Sequence, residues 1–390
     1  MTTGPDHRAM LAIEEATAHL PAPLAVVDLR ALSRNADDLV HRSGGKPIRI
    51  ATKSVRCRAV LDWALTREGF RGLMAYSLPE AIWLARQGST DILVAYPTVD
   101  TAAIAELGAD EQLRTSITIM VDDPAHLQII EVSTAGPVRI CLDIDASLRI
   151  GPAHLGVRRS PLRTSPEVLT LVHRAMAMRS VEVFGLMCYD AQIAGVPDSS
   201  PAVRAMKRRS RTDLAQRRAA IVAAVRSEVD LAFVNGGGTG SLGVIASQAD
   251  LTEVAAGSGL FGPTLFDGYH DFTPEPALIY ALPVVRAPAP DIRTVFGGGY
   301  LASGPVGRSR VPTPIWPPGL HLLRNEGVGE VQTPLTGASA ARLAIGDRVW
   351  WRHAKAGEIC ERFDHLLLID PGSAQVQQVP TYRGEGRNFG

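Results

Sequence analysis

Lysine is what this chain has least of among its charged residues. Of 40 basic side chains only four are lysines, Lys46, Lys53, Lys207 and Lys355, so arginine serves wherever any cation would do. Cysteine is as sparse: Cys57, Cys141, Cys188 and Cys360 lie far apart and form no CxxC pair, which removes a zinc ribbon or a disulfide framework and leaves reduced, core-packed thiols as the expectation. Net charge is also missing. Forty acidic groups balance the forty basic ones, so the chain has neither the basic stripe of a nucleic-acid binder nor the polybasic patch of a membrane partner. No apolar run approaches the roughly 18 residues of a membrane-spanning helix. The opening segment MTTGPDHRAMLAIEEATAHL carries acids where a signal peptide would be apolar, so a cytoplasmic location is expected. The one dense basic run, Lys207 to Arg218, falls in a helical pattern and reads as a solvated face.

Against that scarcity Lys53 stands out. IRIATKSVR (48–56) reads as a buried strand ending on a lysine, followed by a polar turn and the helical pattern RAVLDWALTRE. A lone lysine at a strand edge ordinarily snorkels to water. An ε-amine can also lose its proton and attack a carbonyl, which a guanidinium cannot. Lys53 is therefore the first candidate for a covalent Schiff base.

The length of 390 residues suggests two domains, or one barrel with an appendage. Strand patterns recur at 48–53, 72–77, 91–97, 116–122, 138–145, 183–190, 231–237 and 252–258, with helical patterns between most of them. Eight strands alternating with helices fit a closed (β/α)8 barrel better than an open sheet. Beyond Phe266 prolines and glycines become dense between short β-rich runs such as DRVWWR and HLLLID, the texture of a second, all-β domain. The expected division is 1–29 as an N-terminal segment whose strand joins the β domain, 30–268 as the barrel, and 269–390 as the C-terminal β domain.

In such barrels the site lies at the C-terminal ends of the strands, and phosphate commonly binds after strands seven and eight. Those two loops read NGGGTGS (235–241) and AAGSG (255–259), where glycines let backbone amides approach a dianion and Thr239 and Ser258 add hydroxyls. A dinucleotide fingerprint is the competing reading, with Glu253 as its acid, but the motif ends a long βα series rather than opening one. With Lys53 ending strand one, an amine faces a phosphate cup across about one pyridine ring once the barrel closes. A phosphorylated aldehyde cofactor, pyridoxal phosphate (PLP), needs that arrangement.

The segments APLAVVDLRALSRN, RIATKSVR, AYSLPEAIWLARQGSTDILVAYP, GLMCYDAQIAG, FVNGGGTGS, EVAAGSGLFGPTLFDGY, FGGGYLASG and EVQTPL resemble the PLP enzymes of the alanine-racemase-type fold (fold type III). Within them they are similar to the D-threonine aldolase and D-serine dehydratase group. The resemblance implies a PLP-binding (β/α)8 barrel followed by a C-terminal all-β domain. It implies Lys53 as the Schiff-base lysine and Gly237, Gly238, Thr239, Gly257, Ser258 and Gly259 around the phosphate. Tyr189 and Gln192 are then expected near the ring or its 3-hydroxyl. Relatives of that group hold a divalent ion with a His-x-Cys or His-x-Asp pair. Here His353 matches the histidine but Lys355 stands two residues on, which leaves a shifted site of His353 with Glu358 or Cys360, or His353 as a general base without metal.

The activity implied is that of a lyase cleaving D-β-hydroxy amino acids to glycine and an aldehyde, with Lys53 and His353 as catalytic residues. Dehydration to a keto acid and ammonia is the first alternative. Racemisation, with Tyr300 or Tyr382 as second base, follows it. A PLP-binding protein without turnover, or a sugar-phosphate enzyme using Lys53 alone, completes the set. By analogy with barrel-plus-β-domain relatives, a homodimer acting on a small amino acid is expected.

Overall fold

The computed structural model describes residues 6–373 and 375–390. Its strands in chain order are β1 (Leu24–Asp28), β2 (Ile48–Ala51), β3 (Phe70–Ala75), β4 (Ile92–Pro97), β5 (Ile117–Val121), β6 (Val138–Asp143), β7 (Leu148–Ile150), β8 (Ala153–Leu155), β9 (Val181–Cys188), β10 (Phe233–Gly236), β11 (Glu253–Ala256), β12 (Leu278–Ala289), β13 (Ile292–Phe296), β14 (Thr313–Trp316), β15 (Leu320–Leu322), β16 (Gln332–Gly337), β17 (Arg348–Arg352), β18 (His365–Asp370) and β19 (Gln375–Pro380). They divide between two compact units, one of residues 6–38, Ser54–Asp62 and Ser258–Asn388, the other of Leu39–Lys53, Trp63–Gly257 and Phe389–Gly390. Among the described residues no helix is long and apolar enough to cross a membrane.

The second unit is a closed barrel of eight parallel strands in the order β10-β11-β2-β3-β4-β5-β6-β9. Pairing of Val254 with Ile48 and Ala256 with Ile50 closes it. Side chains alternate across each strand, and those turned inward form a filled centre of Met74, Leu93, Ala95, Met120, Cys141, Met187, Phe233 and Ala255. On the N-terminal side of that layer Arg49 is bonded to both oxygens of Glu253 at 2.7 and 2.9 Å and to Asp91 at 2.8 Å. Asn235 donates to the same Glu253 at 2.7 Å. Burial alone would lower the basicity of Arg49, but the bonds to Glu253 outweigh it and raise it.

The helices outside start where the sequence can cap them. Ser77 accepts from the Glu80 N–H, Asp100 from Ala103, and Thr164 with Glu167 forms a capping box. The longest helix, Pro201–Arg226, carries the basic run. That run is not wholly solvated: Lys207 is buried on Asp198 at 2.8 Å and Arg218 on Asp250 at 2.5 Å. All four cysteines are free and buried.

The first unit is a nine-stranded sheet with the path β15-β16-β13-β12-β1-β18-β19 and with β17 joined to β12 and β14. The N-terminal strand β1 sits inside it, antiparallel to β12 and parallel to β18. On one face Met10 and Ile13 of the helix His7–Thr17 pack against Leu24, Val26, Ile279, Ala281, Trp350, Leu367 and Ile369. On the other, Tyr280 and Trp351 stack at 6.3 Å, with Tyr300 and Phe363 against Tyr280.

Candidate active site

Lys53 lies in the single 3-10 turn, Thr52–Ser54, that ends β2. Thr52 is fully buried and its hydroxyl donates to the Met74 carbonyl at 3.0 Å, which pins the turn and leaves the Lys53 side chain exposed. The amine is not idle. Its Nζ donates to the Tyr96 phenol oxygen at 2.6 Å and lies 5.3 Å from the Tyr96 ring centroid. The Arg159 guanidinium is also 5.3 Å from that centroid and 5.3 Å from the Tyr189 centroid, so it bridges the two rings. Burial would raise the Tyr96 pKa, but the charge and hydrogen bond of Lys53, joined by Arg159, bring it below the ordinary phenol value. Tyr189 goes the other way, pushed up to about 12 by burial and then by Asp190.

Two carboxylates complete this end of the barrel. Asp122 follows β5 and Asp143 ends β6, two residues beyond Cys141 on the inward face, and both are buried. Burial, then the nearby Asp122, pushes the Asp143 carboxyl up to about 7 against the pull of Arg159.

The glycine loop after β10 is held from below. Gly237 has φ +79°, and a Cβ there would fall 2.1 Å from Ile245 Cδ1; a Cβ on Gly238 would meet Ala194 at 3.1 Å and the Tyr189 ring at 3.2 Å. Glycine is required at 237, and at 238 a side chain would press on Ala194 and the Tyr189 ring. Ser241 Oγ accepts the Gly238 N–H at 3.1 Å and donates to Asp190 Oδ1 at 3.0 Å. Asp190 is buried, its Oδ2 has no partner, and burial raises its pKa to about 7. Arg42 donates to the Thr239 carbonyl at 2.7 Å. Gly257, buried, follows directly on the last barrel strand.

Gln192, expected near a cofactor ring, has its amide nitrogen on the Ala146 carbonyl at 2.6 Å and the Ser210 hydroxyl at 2.6 Å, while its buried Oε1 has no partner. Tyr96, Arg159, Asp143 and Asp190 are absent from the sequence-based set. Tyr96 in DILVAYP, Asp143 in ICLDIDA and Asp190 stand at or just past a strand end, which was the available signal; Arg159, in the irregular stretch after β8, had none.

The remaining candidates lie in the β unit. Ser258 and Gly259 open the short helix Ser258–Phe261. His353 is 2 % exposed, its Nδ1–H donates to the Leu278 carbonyl at 3.2 Å, and its Nε2 has no partner. Burial, then the charge of Arg352, pushes its pKa down to about 3, so the ring is a neutral imidazole with a bare Nε2 lone pair and a weak proton acceptor. Cys360 is a buried thiol whose pKa burial lifts well above the ordinary value, and Glu358 is bonded to the Ser303 N–H at 3.0 and 2.8 Å. Among the described residues no group of three or more His, Cys, Asp or Glu side chains could hold a metal ion. The donor set around His353 therefore does not fit a closed metal site, and no chemistry is derived through one. Tyr300 packs against Phe363 under Arg362, and Tyr382 is buried with its N–H on the Arg56 carbonyl.

Residues 27–264 match the family described as alanine racemase, N-terminal domain. The chain is 25 % identical over 268 residues to the 3-hydroxy-D-aspartate aldolase of Paracoccus denitrificans (strain Pd 1222), a match spanning 65 % of this chain and 64 % of that protein. Its fold is similar to that of D-threonine aldolase from Filomicrobium marinum (TM-score 0.80, 19 % identity, 95 % of this chain and 96 % of that one). It is also similar to D-threo-3-hydroxyaspartate dehydratase from Delftia sp. HT23 (TM-score 0.71, 21 % identity, 93 % and 97 %).

Proposed function

The chain belongs to the alanine racemase N-terminal domain family, and from that premise we propose that it is a PLP-dependent lyase of D-β-hydroxy amino acids, cleaving them to glycine and an aldehyde. The observation that carries the reading is a lysine amine exposed at the end of the first barrel strand, in a chain with three other lysines. The aldolase match and the likeness to aldolase and dehydratase folds support the choice of reaction class. In this reading residues 30–268 are the cofactor-binding barrel and 269–390 the β domain, with the strand of 1–29 lent to the latter.

The residues present fit the cofactor. Gly237 and Gly238 keep their loop free of side chains where a Cβ would collide, and Ser241 and Asp190 fix its shape. Lys53 would hold the aldehyde, Tyr189 would lie against the ring, and Gly237, Gly238, Thr239, Gly257, Ser258 and Gly259 would hold the phosphate. Bound PLP supplies an electron sink for the charge left on the substrate carbon when one of its bonds breaks. The protein's share is to orient and to handle protons. For the substrate hydroxyl we assign the bare Nε2 of His353 as hydrogen-bond acceptor, chosen because it is neutral, fixed in its tautomer and unpaired.

Dehydration of the same substrates to a keto acid and ammonia is the second reading, favoured by the likeness to the dehydratase fold. Incubation of the full chain with PLP and D-threonine, D-serine or D-alanine separates them. Acetaldehyde with glycine is expected; pyruvate with ammonia selects the dehydratase. Borohydride reduction should fix the chromophore on Lys53, and a label on another lysine, or none, overturns the assignment.

A further inference from the structure

We propose that Tyr96 is a catalytic residue, a phenol whose oxygen exchanges a proton with the Lys53 amine and so delivers that amine in its nucleophilic form. The inference deepens the reading above and rests on it for the role of Lys53. Its own basis is geometric: the Tyr96 oxygen, 2.6 Å from Nζ, is the hydrogen-bond partner of the amine, and it comes from β4, two strands away around the barrel.

An amine attacks a carbonyl only through its free lone pair, so an ammonium held at neutral pH must first give up a proton. In the exchange one Lys53 N–H bond breaks and one Tyr96 O–H bond forms, the electron pair of the broken bond staying on nitrogen. Ammonium and phenolate become amine and phenol. No other reactant is consumed, and the net charge of the pair is unchanged, so the step costs no new separation of charge.

The groups facing Tyr96 all act in one direction or are neutral. Lys53 and Arg159 are cationic and favour the phenolate, and Tyr189, across Arg159, is held protonated by its burial. The acids at this end, Asp122, Asp143 and Asp145, act on one another and on Arg159 rather than on Tyr96. Arg159 is in this scheme a positioning residue, a cation over the ring whose charge and hydrogen bond favour the phenolate alongside Lys53. A tyrosine serves better here than a carboxylate. The acidities of a phenol and an ammonium are ordinarily close, so the proton passes in either direction at little cost.

The test uses the full chain without substrate. Cyanate carbamylates uncharged amines, and with only four lysines each site is resolved by peptide mass mapping. In Tyr96→Phe, labelling of Lys53 at neutral pH should quicken several-fold, because the phenolate that favours the ammonium at rest is gone, while Lys46, Lys207 and Lys355 label at the wild-type rate. Arg159→Gln, which weakens the phenolate, should give a smaller rise of the same kind. In the ultraviolet difference titration, Lys53→Met should move one tyrosine transition to higher pH, and Tyr96→Phe should delete that transition. Unchanged Lys53 labelling in Tyr96→Phe, or a titration unaffected by Lys53→Met, overturns the proposal. Should Tyr96→Phe not fold, the Lys53→Met titration decides alone. A chain that shows the shared proton but takes up no PLP would refute the function and leave this pair standing; one that takes up PLP on Lys53 with labelling unchanged would do the reverse.

Discussion

Asp190→Asn should make the protein more stable in alkali than the wild type while costing little in acid. The Asp190 side chain is 1 % exposed, accepts one bond from Ser241 and has its second oxygen unpaired. Burial, opposed by the Ser241 bond, raises its pKa from 3.8 to about 7. A carboxyl raised in the folded state binds more protons folded than unfolded between those two values, so stability falls as pH rises through the window and is flat outside it. The span is roughly three units at about 1.4 kcal/mol each, or about 4 kcal/mol lost between pH 4 and pH 7. Asp143, raised to about 7 by burial and Asp122, adds a fall of the same sign. Asparagine keeps an acceptor for Ser241 and has nothing to titrate. Urea midpoints measured from pH 5 to pH 8 should therefore drop about half as steeply in Asp190→Asn, and the variant should overtake the wild type near pH 6 to 7. Parallel slopes for the two proteins would refute the burial argument, because the carboxyl would then be charged in both states throughout.

Glu253→Gln removes the buried one of the two carboxylates bonded to a guanidinium whose side chain is 3 % exposed, with Asp91 left at 2.8 Å, and should cost up to about 3 kcal/mol. Arg49→Met with Glu253→Met should recover most of that, both seen in thermal denaturation. Gly237→Ala places a methyl against Ile245 at a φ of +79°, so a loss of about 2 kcal/mol or more is expected, with weaker retention of PLP on gel filtration.

The barrel was legible because its strands are short apolar runs set between helical patterns, and eight of them leave few arrangements open. Lys53 was legible for a compositional reason, as one of four lysines at the end of a strand. Its partner was not. Tyr96 is 43 residues further along the chain, and nothing in DILVAYP says that its oxygen meets an amine until the strands are placed side by side. Arg159 is harder still, since it comes from the irregular stretch after the β7–β8 hairpin and reaches two rings of different strands. Gln192 shows how a polar residue past a strand end can be tied down unseen: four places beyond β9, its amide nitrogen ties its short helix to Ala146 and Ser210 and only its Oε1 is left unpaired. The basic run of 207–218 misled for a similar reason: local charge density marks exposure only when no acid waits opposite, and Asp198 and Asp250 do.

The two ends of this barrel spend their buried charges differently, and the difference separates structure from chemistry. At the N-terminal end Arg49 has its donors occupied by Glu253, Asp91 and backbone carbonyls, so its charge is held in a fixed set of bonds. Across one apolar layer, the ionisable groups at the C-terminal end are left with vacancies. Asp190 lacks a partner on one oxygen, Asp143 faces another carboxylate, and Tyr96 shares its oxygen with an amine. Vacancies of this kind cost stability, which is why Asp190→Asn should regain some, and they persist where a proton has to move. Complete pairing builds a wall; incomplete pairing leaves groups whose protonation a bound molecule can change. In this chain Tyr96, sharing its oxygen with the Lys53 amine, is such a group.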